Sequence, residues 1–476
     1  MSSTPMLIRN AAGMITGMAG ASARTDATDL LIEDGVIKAI GRNLPVPPGA
    51  RVLDATDCVV YPGWVNTHHH LFQSLLKGVP AGINHTLTPW LMSVPYKYRR
   101  HFDGEAIRLA ATIGMVELLR SGCTTIADHH YIYWPGMPFD ASEILFDVAD
   151  KLGVRFMLLR GAATRTRDLE EHIPNFLKPE TIDGIAADME RLAARYHETG
   201  PRARRRIAVA PSTPLVSVHK EELRPLAQLA RKLGIHMHCH LSETVTYIEQ
   251  SRAMHGMLPV EFVAEHDWVG PDVFYAHMVH WAPEELEILA RTRTGMAHCP
   301  QSNGRLGSGV APAPALARLG GRVSIGVDGA ASNEAADMIS EVHYCWLAHR
   351  AHAGAKSRAR PEGAGEEGAD AVTAEQVVHW ATAGGAQVLG FDGVGTLEVG
   401  AAADIAVYSL DDPRFFGLHD PVIGPVVSGG RPRLKWLLID GQVRVEDDAI
   451  PGLDMAELAA AARAAVRQFG AGDTPA

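Results

Sequence analysis

The chain has 476 residues, 46% of them hydrophobic, and a formal net charge of -11. This supplies apolar material for one large unit and a smaller one, and the acidic balance argues against nucleic acid, whose phosphates need a basic surface. No apolar run of about 18 residues is present, and the N-terminus lacks a basic stretch followed by an apolar one, so neither a membrane span nor a signal peptide is expected. Cys58, Cys123, Cys239, Cys299 and Cys345 are scattered and odd in number. That usage predicts a reduced, cytoplasmic chain rather than a disulfide framework.

Residues 6–62 read as short strands, with a hairpin around Asp34-Gly35. From 63 to about 390 the pattern becomes alternating strands and helices. Helical spacing runs over Glu105–Ser121, Ser142–Leu152, Ile182–Tyr196, Glu221–Leu233, Pro259–His266, Pro283–Thr292 and Ala313–Leu319. Between them lie apolar runs ending near His130, Leu159, Ala210, His240, His277, His298 and Asp328. Counted from Val59, this makes about eight β-α units, which close most economically into a (β/α)8 barrel. Ala353–Asp370 is rich in Gly, Ala, Arg and Glu and reads as an exposed loop, before helical spacing resumes at Thr373–Leu389. The tail from Gly395 returns to strands with a second hairpin at Asp440-Gly441, and residues 453–470 suit an Ala-rich terminal helix. The expected organisation is a barrel over 63–394 and a small β-sandwich built jointly from 1–62 and 395–476, with the helix attached to it.

The histidines fall where those strands end. His68, His69 and His70 follow Val59–Val65, and strand alternation would turn His68 and His70 to one side and His69 to the other. His240 with Glu243 behind it, His277, His298 and Asp328 close four other strands. Catalytic groups of a β/α barrel sit at these ends. Three imidazoles and a carboxylate suit one divalent ion such as zinc or iron; His68, His70, His240 and Asp328 are the candidate ligands. His236 and His238 share the face of His240 but lie deeper. His69 is read as structural, while His129 and His130 stay open between the two roles.

Taken together, Pro62–His70 (P-G-x-V-N-x-H-x-H), His240–Glu243 (H-x-x-E), Ala276-His277, His298–Asn303 (H-x-P-x-S-N) and Asp328–Asn333 (D-G-x-x-S-N) resemble the amidohydrolase superfamily, in its branch of cytosine/guanine-type deaminases and chlorohydrolases. The motifs run in order from 62 to 333. The resemblance implies the same four ligands, Glu243 as proton shuttle and His277 as the strand-six histidine, with Asp328 also acting in catalysis. Relatives with two metals carry a modified lysine on strand four; Ile207–Thr213 has none, which implies one metal.

The implied reaction is hydrolytic deamination of a small aromatic heterocycle by water. Gln73, Trp90 and Tyr131 are candidate substrate contacts, the first because a corresponding glutamine contacts purine in guanine deaminases. Those enzymes also place an arginine after strand four, where this chain reads Ser212-Thr-Pro-Leu215. Asp128–Tyr131 and His298–Gly309 look most like the 8-oxoguanine and isoxanthopterin deaminases, and Phe72–Arg100 looks closer to the latter. An oxidised pterin, isoxanthopterin, is therefore the expected substrate, with 8-oxoguanine or guanine, or an s-triazine losing chloride or an amine, as alternatives. A non-catalytic amidohydrolase-like scaffold is a further alternative, though such relatives usually lose ligands and this chain keeps every candidate. The family commonly forms homo-oligomers. H-x-E with P-C-x-x-C, H-E-x-x-H, G-x-S-x-G, a P-loop and G-x-G-x-x-G are absent from the sequence.

Overall fold

The computed structural model describes residues 4–165, 179–357 and 372–471. Eight parallel strands form one sheet: β1 (Trp64–Asn66), β2 (Cys123–His130), β3 (Arg155–Ala162), β4 (Arg205–Pro211), β5 (His236–Leu241), β6 (Val273–His277), β7 (Gly295–His298) and β8 (Arg322–Ile325). Each pairs with the next in chain order. Backbone bonds from Thr67 N to Ile325 O (3.1 Å) and from Asp328 N to His68 O (3.0 Å) join the last strand to the first, so the barrel closes.

Side-chain alternation sorts each strand into two faces. Ala127, Met157, Leu159, Ala208, Ala210, Phe274 and Ala297 pack together inside the barrel. Their neighbours Ile126, Phe156, Leu158, Ile207, Val209, Tyr275 and Met296 pack outward with the helices. Alanine at several inward positions leaves room near the strand ends for larger polar groups. Helix α1 (Gly104–Arg120) shows the outer layer's logic: Ile107, Ala110, Ala111, Gly114, Met115 and Leu118 recur at helical spacing and are buried, and Asp103 caps it by accepting from Ala106 N at 2.8 Å.

The chain ends form two further sheets. One holds four strands from residues 6–54; the other joins Gly13–Ile15, Arg24–Thr25 and Cys58–Pro62 to Ile405–Ser409, Leu434–Ile439 and Gln442–Glu446. Alternation again explains the layers. Val60, Ile405, Val407 and Leu438 face the four-stranded sheet across a shared core, whereas Val59, Tyr61, Tyr408, Leu437 and Ile439 face the barrel. Buried Arg155 at the start of β3 ties the layers, bonding Asp404 (2.7 Å) and Asp440 (2.8 Å) from the tail.

Three sequence expectations change. The run Val59–Tyr61 belongs to the six-stranded sheet, so the barrel begins at Trp64 rather than Val59. The expected loop Ala353–Asp370 starts inside a helix of 20 residues, Met338–Ser357, whose length its poor amphipathic pattern hid; the rest of that stretch, 358–370, lies outside the described residues. The terminal helix, Met455–Ala471, packs on α1, with Phe469 against Phe102 and His101, and so sits on the barrel. Among the described residues no helix is long and apolar enough to cross a membrane.

Candidate active site

β1 ends at Asn66, so His68 and His70 stand beyond the regular strand, yet alternation persists and both rings enter the barrel mouth. His68 Nε2 and His70 Nε2 each lie 3.2 Å from Asp328 Oδ1. His70 Nε2 is 3.1 Å from His240 Nε2. The donor atoms of His68, His240, His277 and Asp328 all fall within 4.8 Å of one another. Two of these residues are aimed by backbone conformations that non-glycine residues rarely adopt: His277 has φ 73° and Asp328 has φ 60°. Regular alternation would send His277 outward with Tyr275. The left-handed turn brings it inward instead, where its ring stacks on His240 at 5.4 Å.

The surrounding hydrogen bonds set the tautomers. His70 Nδ1 donates to His129 O (2.7 Å) and His240 Nδ1 to Ser212 O (2.6 Å). His238 Nδ1 donates to Phe274 O (3.0 Å), so its Nε2 accepts from His68 Nδ1 (3.0 Å). The Nε2 atoms of His68, His70 and His240 then turn their lone pairs towards one another and Asp328 Oδ1. Ser302 Oγ (2.6 Å) and Ser332 Oγ (3.1 Å) both donate to Asp328 Oδ2, which leaves Oδ1 for the cluster. His68 Nε2 and Asp328 Oδ1 are buried without a hydrogen-bond partner. Converging lone pairs facing a carboxylate repel unless a cation lies between them, so this donor set fits a divalent ion. Burial pushes His68 down to about 3 and His240 well below the ordinary histidine value, keeping both rings neutral and able to ligate. Burial works against a charge on Asp328 too, but the neighbouring imidazoles of His68, His70 and His277 hold its carboxyl well below the usual carboxylate range.

Above the cluster opens a cavity of about 340 Å3. Its floor includes His70, His240, His277 and Asp328, and Glu243 enters from the turn after β5 with Oε2 3.7 Å from His277 Nε2. His277 is held by Nδ1 donating to Asn303 Oδ1 (2.9 Å). Gln73, Trp90 and Tyr131 all line the cavity. Gln73 Nε2 donates to Tyr131 Oη (3.2 Å), and its Oε1 is buried beside Gly329, where any β-carbon would meet it at 1.9 Å. The indole of Trp90 donates to Ala331 O (3.0 Å), which fixes the ring as a wall. Leu215 makes part of the lining apolar.

Every ligand, catalytic and substrate candidate read from the sequence thus comes to one place. His69 turns away between the barrel and α1, near Gly114, with Nδ1 accepting from His70 N. His130 faces outward against Phe72 and Tyr133. His129 faces inward: it stacks on His240 at 4.9 Å, and Nε2 donates to Ala210 O. Sequence reading missed His238, Ser302, Ser332 and Asn303 as supports. The last three stood inside quoted motifs, and the period-two spacing His236-His238-His240 marked the first.

The chain belongs to the amidohydrolase family, whose model matches residues 59–433. It is 58% identical over 467 residues to an isoxanthopterin deaminase of an unknown prokaryotic organism, covering 97% of each chain. It is 36% identical to an 8-oxoguanine deaminase of Pseudomonas aeruginosa, over 98% of this chain and 99% of that one. Among solved structures, an atrazine chlorohydrolase from Arthrobacter aurescens complexed with zinc superposes with a TM-score of 0.87 at 29% identity, covering 97% of this chain and 100% of that one.

Proposed function

We propose that this protein is a hydrolytic deaminase that releases ammonia from an oxidised 2-amino-4-oxo pterin, isoxanthopterin, with one zinc ion held by His68, His70, His240 and Asp328. The observation that carries the reading is Glu243 standing opposite His277 in the cavity that opens over the donor cluster. The similarity to an isoxanthopterin deaminase supports the substrate. Leu215, where guanine deaminases would carry an arginine, supports it against guanine.

When bound, the ion would lower the pKa of a water molecule from 15.7 towards roughly 7. The protein residues then handle protons and position. Asp328 accepts the first proton of the attacking water, its second oxygen being held by Ser302 and Ser332. Glu243 protonates the ring nitrogen beside the carbon that carries the amine, which takes up the charge as the new C–O bond forms. His277, held by Asn303, orients water and substrate. The second water proton passes through Glu243 to the departing amine; the C–N bond breaks and ammonia leaves, the ring keeps a carbonyl and an N–H, and the proton held by Asp328 returns to Glu243 for the next turnover. Gln73 and Tyr131 present amide and hydroxyl groups to the ring edge, and Trp90 covers its face.

The test is ammonia release from isoxanthopterin, pterin, 8-oxoguanine, guanine, cytosine and s-triazines by zinc-loaded protein. The expected outcome is the highest kcat/KM on isoxanthopterin. A preference for 8-oxoguanine would move the assignment to the purine, which the second relative favours. Chloride or alkylamine release without ammonia would overturn deamination. A cytoplasmic homo-oligomer is the expected setting.

A further inference from the structure

We infer that His298, Cys345 and His349 form a second site for a zinc-type divalent ion, structural in role and separate from the catalytic cluster. His298 ends β7 on its outward face, in step with Met296; α2 (Pro300–Arg305) follows it, and its ring meets α3 (Met338–Ser357). Cys345 and His349 are four residues apart on α3 and so share one helix face. The three donor atoms lie within 4.8 Å of one another, and His298 Nε2 is 3.1 Å from His349 Nε2. Two imidazoles on a tetrahedral zinc at 2.0–2.1 Å stand about 3.3 Å apart, so the spacing needs little adjustment. All three residues are buried.

Donor type and charge agree with this. A thiolate and two imidazoles suit zinc in a site with a fourth position left over. A cavity of about 170 Å3 adjoins His298 on the side of Asn303 and Tyr344, and Cys345 and His349 are not among the residues that line it. A divalent ion with one thiolate keeps a single positive charge. Glu341, fully buried one turn before Cys345, accepts from Gln301 N (2.8 Å) and Gln301 Nε2 (2.7 Å); burial pushes its carboxyl well above the usual carboxylate range, and the charge of such an ion would hold it ionised. The site would clip the end of β7, which leads into α2, to α3. Helix α2 carries Ser302 and Asn303, the residues that hold Asp328 and His277.

The experiment is metal analysis of the purified full-length protein, followed by replacement of bound metal with Co2+ and a near-ultraviolet spectrum. The expected result is two equivalents per chain and a thiolate-to-cobalt charge-transfer band. The catalytic donors contain no sulfur, so the band reports on this site alone, whatever the substrate assays show. Cys345→Ser should lower the content from two equivalents to one and remove the band; His349→Gln should lower the content likewise. One equivalent and no band in the unaltered protein overturn the site and leave a hydrogen-bonded imidazole pair.

Discussion

Glu243 and His238 show how differently two buried residues serve one site. Glu243 faces the cavity and coordinates nothing in the proposed arrangement, so Glu243→Gln should keep the metal and lose turnover by about 10^2–10^4-fold, the usual weight of general acid–base catalysis. Metal analysis alongside ammonia release checks this, and near-normal turnover would reject Glu243 as the shuttle. His238 never reaches the cavity. It accepts the proton that fixes the tautomer of His68, and such supports typically govern metal affinity by about 10–100-fold. His238→Phe should therefore give up metal to a competing chelator more readily by that factor, while turnover recovers at saturating metal. Unchanged affinity would show that His68 needs no such support.

At the scale of elements, the ends of β1, β6 and β8 do the aiming. Gly326 follows β8 where the chain closes on β1; a β-carbon there would lie 2.7 Å from His68 Cβ and 2.8 Å from His68 N. Neither atom can swing aside, so overpacking at this closure should cost about 1–3 kcal/mol. Gly326→Ala is expected to lower the thermal midpoint and the metal content together. A loss of stability with full metal content would separate barrel closure from ligand placement. Sequence alternation was legible on this scale even just past the end of β1, where it turned His69 away from His68 and His70; in the regular strands β2 and β7 the same alternation sends His130 and His298 outward, a facing the sequence alone leaves open. It failed at His277, because φ 73° there reverses the facing that a period of two predicts.

For the whole molecule, burial of neutral histidine couples folding to acid. His130 and His236 lie outside the donor cluster, and burial pushes each from 6.5 down to about 3. Between those values the unfolded chain binds protons that the folded chain excludes, so stability rises with pH. Their contribution is complete above 6.5 and is lost as pH falls towards 3, at about 1.4 kcal/mol per pH unit for each group. Urea unfolding followed from about pH 7 to about pH 4 should show the midpoint falling, and His236→Gln should flatten that slope by about one proton. A slope unchanged in the variant would mean that His236 is protonated equally in both states.

The sequence by itself determined the number and order of the barrel strands, the set of donors at their ends and the family, because strand alternation, helical spacing and motif order are local properties of the chain. Tertiary structure alone decided which donors converge. His68 and Asp328 stand 3.2 Å apart across a barrel closure spanning most of the chain. The supports from His238, Ser302, Ser332 and Asn303 are hydrogen bonds between elements distant in sequence. Directional bonds of that kind depend on how strands are registered around the barrel; motifs and spacing marked these residues, but not the partner each one holds.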